Sequence, residues 1–235
     1  MKILVLRFSS IGDIVLTSPV LRCLAQQRSD VEIHFATKAA FADLVMHSPY
    51  IHKVHVLGDD LGELISRLKK EGFAEVIDLH HNLRTSRIKR ALGVPAHSFP
   101  KLNIEKWLLV NFKRDRLQRT HIVDRYMSTV AHLGVKNDGL GLDLFIPPKR
   151  EIALSTLPET HRSGYTVLAI GAAHFTKRLP EHRLIELAGL VEGPFVLIGG
   201  REDQAVARAI ASASRTSCSN RTTRTATAPG PIRRR

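Results

Sequence analysis

Residues 2–19 read KILVLRFSSIGDIVLTSP, and the fold turns on how this stretch is understood. Its first part, KILVLRF (2–8), is a short apolar run containing β-branched residues and closed by serines and a glycine, the pattern of a buried strand. The second part raises the question of why two serines, a glycine and an acid follow at once. Three roles compete for Asp13: a helix cap, part of a phosphate cradle, or a catalytic carboxylate. Gly12 permits a close backbone approach or an unusual φ. Neither GxGxxG nor GxxxxGK[ST] is present, so a dinucleotide or nucleoside-triphosphate cradle is poorly supported. An acid would also repel a phosphate placed beside it. A carboxylate at a helix N-terminus is stabilised by the free N–H groups, which suits a cap and equally a general base ionised at neutral pH. Ser18-Pro19 offers a further N-cap and first helical residue.

Outward from this segment the same grammar repeats. VEIHFAT (31–37), KVHVL (53–57) and AEVIDLH (74–80) read as strands, with helical stretches at 19–28, 38–47 and 61–72. In the last, Leu61, Leu64, Ile65 and Leu68 recur at helical spacing, and Gly72 is a stop signal. Three more helices are predicted at 82–93, 103–112 and 121–134, the first strongly basic on one side. Alternation of this kind implies a parallel sheet with helices on both faces. A loop from Lys136 to Pro148 marks a boundary, after which strands at 165–171 and 194–200 alternate with helices at 180–191 and from 202.

The fold class is therefore α/β, with two doubly wound, Rossmann-like domains at 1–148 and 149–211. The second is incomplete: it has two strands where five or six are usual, a shortfall of about 100 residues at roughly 30 per β-α unit. Residues 212–235 form a basic tail. From Ser214 onward it holds one isoleucine and no Leu, Val, Phe or Met, so disorder is expected and no further core strand. Either this is a natural basic tail or the reading frame shifts near Ser212, leaving the chain truncated.

Composition narrows the class. The 235 residues are 43% hydrophobic and 24% charged, as in a soluble globular protein. No run approaches the 18 apolar residues of a membrane span, Arg7 interrupts any signal peptide, and Cys23 and Cys218 form no CxxC. The expected location is the cytoplasm. The net charge is +13, but six arginines and no acid fall in 212–235, leaving +7 for the rest, which suits an anionic ligand as well as DNA. No aromatic-rich strand offers a base-stacking platform, so a nucleic-acid partner is not expected. Of the twelve histidines none forms HExxH, and His80-His81 on a strand would point to opposite faces; no metal site is expected.

ILVLRFSSIGDIVLTSPVLRCL (3–24) closely resembles the start of the family 9 glycosyltransferases, the group containing the lipopolysaccharide heptosyltransferases. Four further segments agree in order and spacing. VIDLHHNLRTS (76–86) is similar to the family's DLQGxxRS region, from which His80-His81-Asn82 departs. HIVDRY (121–126) resembles H-x-V-x-R. IGAAHFTKRLP (170–180) resembles GASxxxKRWP with Leu179 in place of Trp, and VLIGGREDQ (196–204) is similar to LxGGxxD. The resemblance covers about residues 1–211; the family's D-[ST]-G-x-x-H donor-site motif is absent.

The resemblance implies a GT-B architecture, two Rossmann-like domains facing a cleft, and an inverting, metal-independent transfer. A sugar passes from a nucleotide-diphosphate donor such as ADP-heptose to an anionic, lipid-linked saccharide acceptor of the lipopolysaccharide-core kind, with no cofactor and with peripheral contact at the inner face of the cytoplasmic membrane. Mapped by motif, Asp13 becomes the general base, while Ser10, Gly12, Arg84 and Arg125 bind the acceptor. Arg84 also belongs to a charge run of the kind that is usually a solvated face, and Arg125 has Asp124 and Glu105 as alternative partners. Ala173, Thr176, Lys177 and Arg178 are implied to hold the donor phosphates; without the family, TKR is an ordinary surface turn. His121 reads as a helix cap. With the donor motif absent, low or no activity is expected of this chain. A non-catalytic module binding an anionic glycolipid is the alternative, and substitution of Asp13 separates the two.

Overall fold

The computed structural model describes residues 1–116, 120–147, 150–172, 174–217 and 223–227. The chain divides into two compact units, Met1–Arg150 and Glu151–Arg235. In the first, β1 (Lys2–Leu6), β2 (Glu32–Lys38), β3 (Lys53–Leu57), β4 (Glu75–Asp78) and β5 (Ala96–Ser98) form one parallel sheet in the order β3-β2-β1-β4-β5. β1 lies at its centre, Leu6 pairing with Ala36 on one side and Asp78 on the other. Both faces are covered, so Ile3, Leu4, Val5 and Leu6 are all fully buried and the strand reads as a continuous apolar run.

Each face has its own helices. Ile3 and Val5 pack with Val20 and Leu24 of α2 (Ser18–Gln27) and Tyr126 of α6 (Ile122–Met127). Leu4 and Leu6 pack with Leu64 and Leu68 of α3 (Leu61–Lys69) and Ile88 of α4 (Leu83–Leu92). Asp60 caps α3 by accepting from Gly62 N–H at 2.8 Å and Glu63 N–H at 3.3 Å. Between β1 and α2 lies a short helix, α1 (Ile11–Val15). α5 (Asn103–Phe112) buries none of its residues and exposes Ile104, Trp107, Val110 and Phe112. The stretch after α6 that reads as a loop is fastened down: buried Arg22 grips Asp138 through two 2.7 Å bonds, Asp143 at 2.5 Å and the Gly141 carbonyl at 3.0 Å. Hydrogen bonding to Arg22 holds the Asp138 carboxyl well below the usual carboxylate range.

Three expectations for this unit need correction. The stretch 38–47 holds a short 3₁₀ helix, Ala39–Leu44, in place of an α-helix, with Ala42 buried within it and Val45 buried at its end. The helix predicted over 121–134 stops at Met127, and a 3₁₀ turn, Ala131–Leu133, follows. The Ser128 hydroxyl donates to the Arg125 carbonyl and Thr129 to Tyr126, an alternative to continuing the helix. β4 ends at Asp78, so His80 and His81 are not on a strand. The Asp78 carboxylate accepts both of their backbone N–H groups, at 3.1 and 2.7 Å, turning the chain away from the sheet.

The second unit has α7 (Glu159–Arg162), β6 (Thr166–Ala169), α8 (Glu181–Leu190), β7 (Phe195–Gly199), α9 (Gln204–Ser217) and β8 (Thr223–Thr227). The three strands run parallel in the order β6-β7-β8. Phe195, Leu197, Leu184, Ala188, Ala207 and Ile210 make its core. The expectation of a structureless tail over 212–235 is corrected at two places: α9 runs on to Ser217, and Thr223–Thr227 pairs with β7 from Phe195↔Thr223 to Gly199↔Thr227. A ladder is made by backbone groups, and β-branched threonine fits the pleated backbone without being apolar.

Candidate active site

In a parallel sheet, ligands bind beyond the carboxyl ends of the strands. Arg7 and Phe8 leave β1 at that end and lead through Ser9 and Ser10 into α1. Asp13 is the third residue of α1 and reaches back over its start: Ser10 N–H and Oγ–H donate to its Oδ2 at 3.2 and 3.0 Å. Arg7 Nη2 meets the same oxygen at 2.5 Å. Among the described residues nothing is bonded to Oδ1. Burial alone would raise the Asp13 pKa, but Ser10 and the Arg7 charge outweigh it, and the carboxyl sits below its ordinary value. Asp13 is thus a cap, and it remains an ionised acceptor with one free oxygen. Gly12 has no positive φ, so of the two uses open to a glycine there the unusual φ is not taken, and a Cβ added to it would meet nothing within 4 Å.

Arg7 is the residue that sequence reading passed over. Nearly buried, it also donates to the Ser9 carbonyl at 2.7 Å and to the Leu79 carbonyl, and lies 5.8 Å from the Tyr126 ring centroid. One guanidinium therefore ties the ends of β1 and β4 to Asp13 and α6. Its position at the end of an apolar strand run was the available signal.

Around it the other candidates divide. Arg125 donates to the Pro100 carbonyl at 3.1 Å, while among the described residues its buried Nε has no hydrogen-bond partner and no ion pair joins it to Asp124 or Glu105. His121 caps α6 as expected, accepting from Val123 N–H at 3.3 Å. The Arg84 guanidinium stacks on Phe8, 5.8 Å from the ring centroid. Arg84, Arg87 and Lys38 line one surface cavity of about 620 Å³ together with Asp59 and Leu83. Lys38 ends β2 and was not legible as a site residue, since only the sheet brings it beside α4. Lys89, in the same basic run, is committed elsewhere: it pairs with fully buried Asp78 at 2.8 Å. His80 lies edge-on to Phe8, and burial, then the Arg7 charge, push its pKa down to about 4, so it is neutral at pH 7.

In the second unit, β6 leads through Gly171 to a 3₁₀ turn, Phe175–Lys177. Thr176 and Lys177 are exposed there, and the Lys177 side chain makes no hydrogen bond or ion pair among the described residues. Arg178 is held, donating to the Ala172 carbonyl at 2.6 Å and facing Asp203 at 4.0 Å. Asp203 is buried and accepts Gly200 N–H at 2.8 Å. It explains the nearby glycines: a Cβ on Gly171 would lie 2.0 Å from its Oδ2, and one on Gly199 would lie 2.9 Å from its Cβ. Ala173 lies outside the described residues.

No family model matches the chain. Among curated proteins, lipopolysaccharide heptosyltransferase 1 of Campylobacter coli is 21% identical over 210 residues, 81% of this chain and 60% of that protein. The chain thus spans about three fifths of that relative's length. A glycosyl transferase family 9 structure from Veillonella parvula matches with a TM-score of 0.66 and 22% identity, over 94% of this chain and 74% of that one. The chain has the fold of the family 9 glycosyltransferases. An E. coli heptosyltransferase, WaaC, solved with ADP-2-deoxy-2-fluoro heptose, gives 0.67 at 17% identity over 99% of this chain and 78% of its own. The α/β, GT-B-type fold expected from the motifs is borne out. Within this family 9 fold, Asp13 lies in the connection that follows β1 and Lys177 in the connection that follows β6.

Proposed function

We propose that the chain is an inverting, metal-independent glycosyltransferase, weakly active because the D-[ST]-G-x-x-H donor motif is absent, that moves a heptose-type sugar from a nucleotide-diphosphate donor to an anionic lipopolysaccharide-core acceptor. The observation that carries this reading is the ionised Asp13 carboxylate with Oδ1 free at the carboxyl end of the central strand. The acceptor hydroxyl attacks the anomeric carbon, its proton passes to Asp13 Oδ1, and the bond to the diphosphate breaks with its electron pair leaving on phosphate. Ser10 and Gly12 border the carboxylate, and Lys38, Arg84, Arg87 and Arg125 supply cationic donors for acceptor anions. Thr176, Lys177 and Arg178 meet the charge that develops on the leaving diphosphate. The test incubates the purified chain with ADP-heptose and heptose-deficient lipopolysaccharide. A product of inverted anomeric configuration supports the reading; retained configuration, or no product above background, overturns it.

The donor part has its own test. Lys177→Ala is expected to weaken ADP binding, read by calorimetry, roughly tenfold, the worth of one charge-assisted hydrogen bond of about 1.5 kcal/mol. Arg178→Ala is expected to cost less, because Asp203 and the Ala172 carbonyl already engage that side chain. Equal affinity in Lys177→Ala would remove Lys177 from the donor site.

Among the described residues no helix is long and apolar enough to cross a membrane. For a lipid-linked acceptor we place the chain at the cytoplasmic face of the inner membrane, with α5 as the contact. Its exposed Ile104, Trp107, Val110 and Phe112 lie beside Lys106 and Lys113, a composition suited to an anionic interface. Vesicle affinity, read by sedimentation with phosphatidylglycerol vesicles, is expected to fall roughly 30–150-fold in Trp107→Ala, given about 2–3 kcal/mol for burying such a ring, and to weaken with salt.

A further inference from the structure

Three side chains from distant segments converge away from the candidate active site. Glu75 opens β4, His97 is the middle residue of β5, and His132 lies in the 3₁₀ turn Ala131–Leu133. Glu75 Oε1 is 2.7 Å from His132 Nε2 and 3.7 Å from His97 Nε2, and the three donor atoms all fall within 4.8 Å of one another. The two imidazoles stack with centroids 3.7 Å apart, 15° from parallel. Glu75 is only 7% exposed, yet among the described residues its Oε1 has no partner in hydrogen-bonding geometry. A buried carboxylate oxygen left in that state is costly.

We propose that Glu75, His97 and His132 bind a divalent transition-metal ion of the zinc class through one carboxylate oxygen and two imidazole nitrogens. Tetrahedral coordination at 2.0–2.2 Å separates ligand atoms by about 3.3 Å; the two carboxylate–imidazole separations of 2.7 and 3.7 Å bracket that value, and the stacked rings must turn apart on binding so that both in-plane lone pairs meet the ion. The His97 and His132 side chains are 40% and 34% exposed, which leaves an entry path and a fourth position for water. Neutral imidazole with carboxylate suits zinc better than magnesium or calcium, which prefer all-oxygen sites.

A second trio, His34, His55 and Glu71, also converges, but its donors are taken. His34 uses one ring nitrogen on His55 at 2.9 Å and the other on Glu32 at 2.8 Å, and Glu71 holds Lys53 at 2.5 Å. The role of an ion at Glu75 is structural. β5 is an edge strand, and the metal would clip it and the turn at His132 to β4, closing an edge otherwise held by three paired residues. It stands apart from the transfer chemistry, since Glu75 pairs with Ile3 while the Asp13 end of the sheet lies at Leu6↔Asp78, about 10 Å further along the strands. No sequence spacing announced the site, because residues 75, 97 and 132 meet only through the fold.

The test titrates tag-free full chain with Co²⁺ and then Zn²⁺. One equivalent of Co²⁺ is expected to give the visible absorption of a low-coordinate nitrogen/oxygen site, and Zn²⁺ to displace it. His97→Ala and His132→Ala are each expected to weaken binding roughly 10–100-fold or more, since even outer-shell partners are worth that much, while His55→Ala leaves it unchanged. X-ray absorption on the zinc-loaded wild type removes any dependence on variant folding: two imidazoles and no sulfur support the site. Absence of stoichiometric uptake, fewer than two imidazoles, or unaltered affinity in the folded His97 and His132 variants overturns it.

Discussion

Asp13→Asn is expected to lower the rate of glycosyl transfer by about 10²–10⁴-fold, the usual worth of a positioned general base. The loss should appear in kcat with the acceptor KM little changed, because the amide occupies the same space and only proton acceptance is removed. Asparagine still offers an oxygen to Ser10 N–H, so α1 keeps most of its cap, worth about 0.5–2 kcal/mol when removed outright. The sign of the pH dependence follows from the geometry. Ser10 and Arg7 hold the Asp13 pKa below its ordinary value in spite of burial. A carboxyl depressed in the folded state is ionised throughout the neutral range. It loses its charge, and what it contributes to stability, only as pH falls through that lowered value. The wild-type rate should therefore show no Asp13 limb from pH 5 to 8. The same pairing makes Asp13 a weak base, so proton transfer must come late, when the attacking oxygen has become acidic by bonding to the anomeric carbon. A purified, folded Asp13→Asn chain that transfers within threefold of wild type would leave Asp13 as a cap alone.

What the sequence disclosed about this site was local, and what it withheld was tertiary. The β1 run, the Asp13 turn and the basic start of α4 are contiguous patterns, and the strand-helix grammar was enough to put Asp13 at the ligand-binding end of a parallel sheet. Arg7 read as an interruption of an apolar run because its anchor, the Leu79 carbonyl, lies 72 residues away. Lys89 looked like one of several solvated cations, and nothing in NLRTSRIKRALG separates it from Arg87 or Arg90. β5 escaped notice because three residues following a proline carry no periodicity. The threonine strand β8 escaped because apolar content was taken as the condition for a strand, whereas its ladder with β7 is a backbone property.

Lys89→Ala is expected to destabilise the first unit by about 3 kcal/mol, the lower end of the range for breaking a buried ion pair. Asp78 is fully buried and, once Lys89 is gone, keeps the His80 and His81 N–H bonds, the Thr85 side chain and a 3.5 Å contact from Ser98, but no cation. The lower end applies because those N–H groups remain and the Lys89 side chain is 18% exposed. Denaturant unfolding measured against pH separates lost charge pairing from lost packing. In the wild type, burial alone would raise the Asp78 pKa, but Lys89 and the His81 N–H bring it below its ordinary value. The stabilisation from that pair is therefore present above the unfolded-state pKa near 3.8 and fades as pH falls through the lower folded-state value. Without Lys89, the buried acid protonates more readily. The deficit of Lys89→Ala should then be largest at neutral pH and shrink toward pH 3, whereas a packing loss would be the same at every pH. Asp78→Asn/Lys89→Met, which removes both charges, is expected to regain most of the stability. Because Asp78 also fixes the turn at His80 and His81 beside Arg7 and Phe8, the single variant should bind the acceptor more weakly than the charge-free double variant does. Equal binding by the two would show that the Asp78–Lys89 pair holds the sheet together without shaping the site at its end.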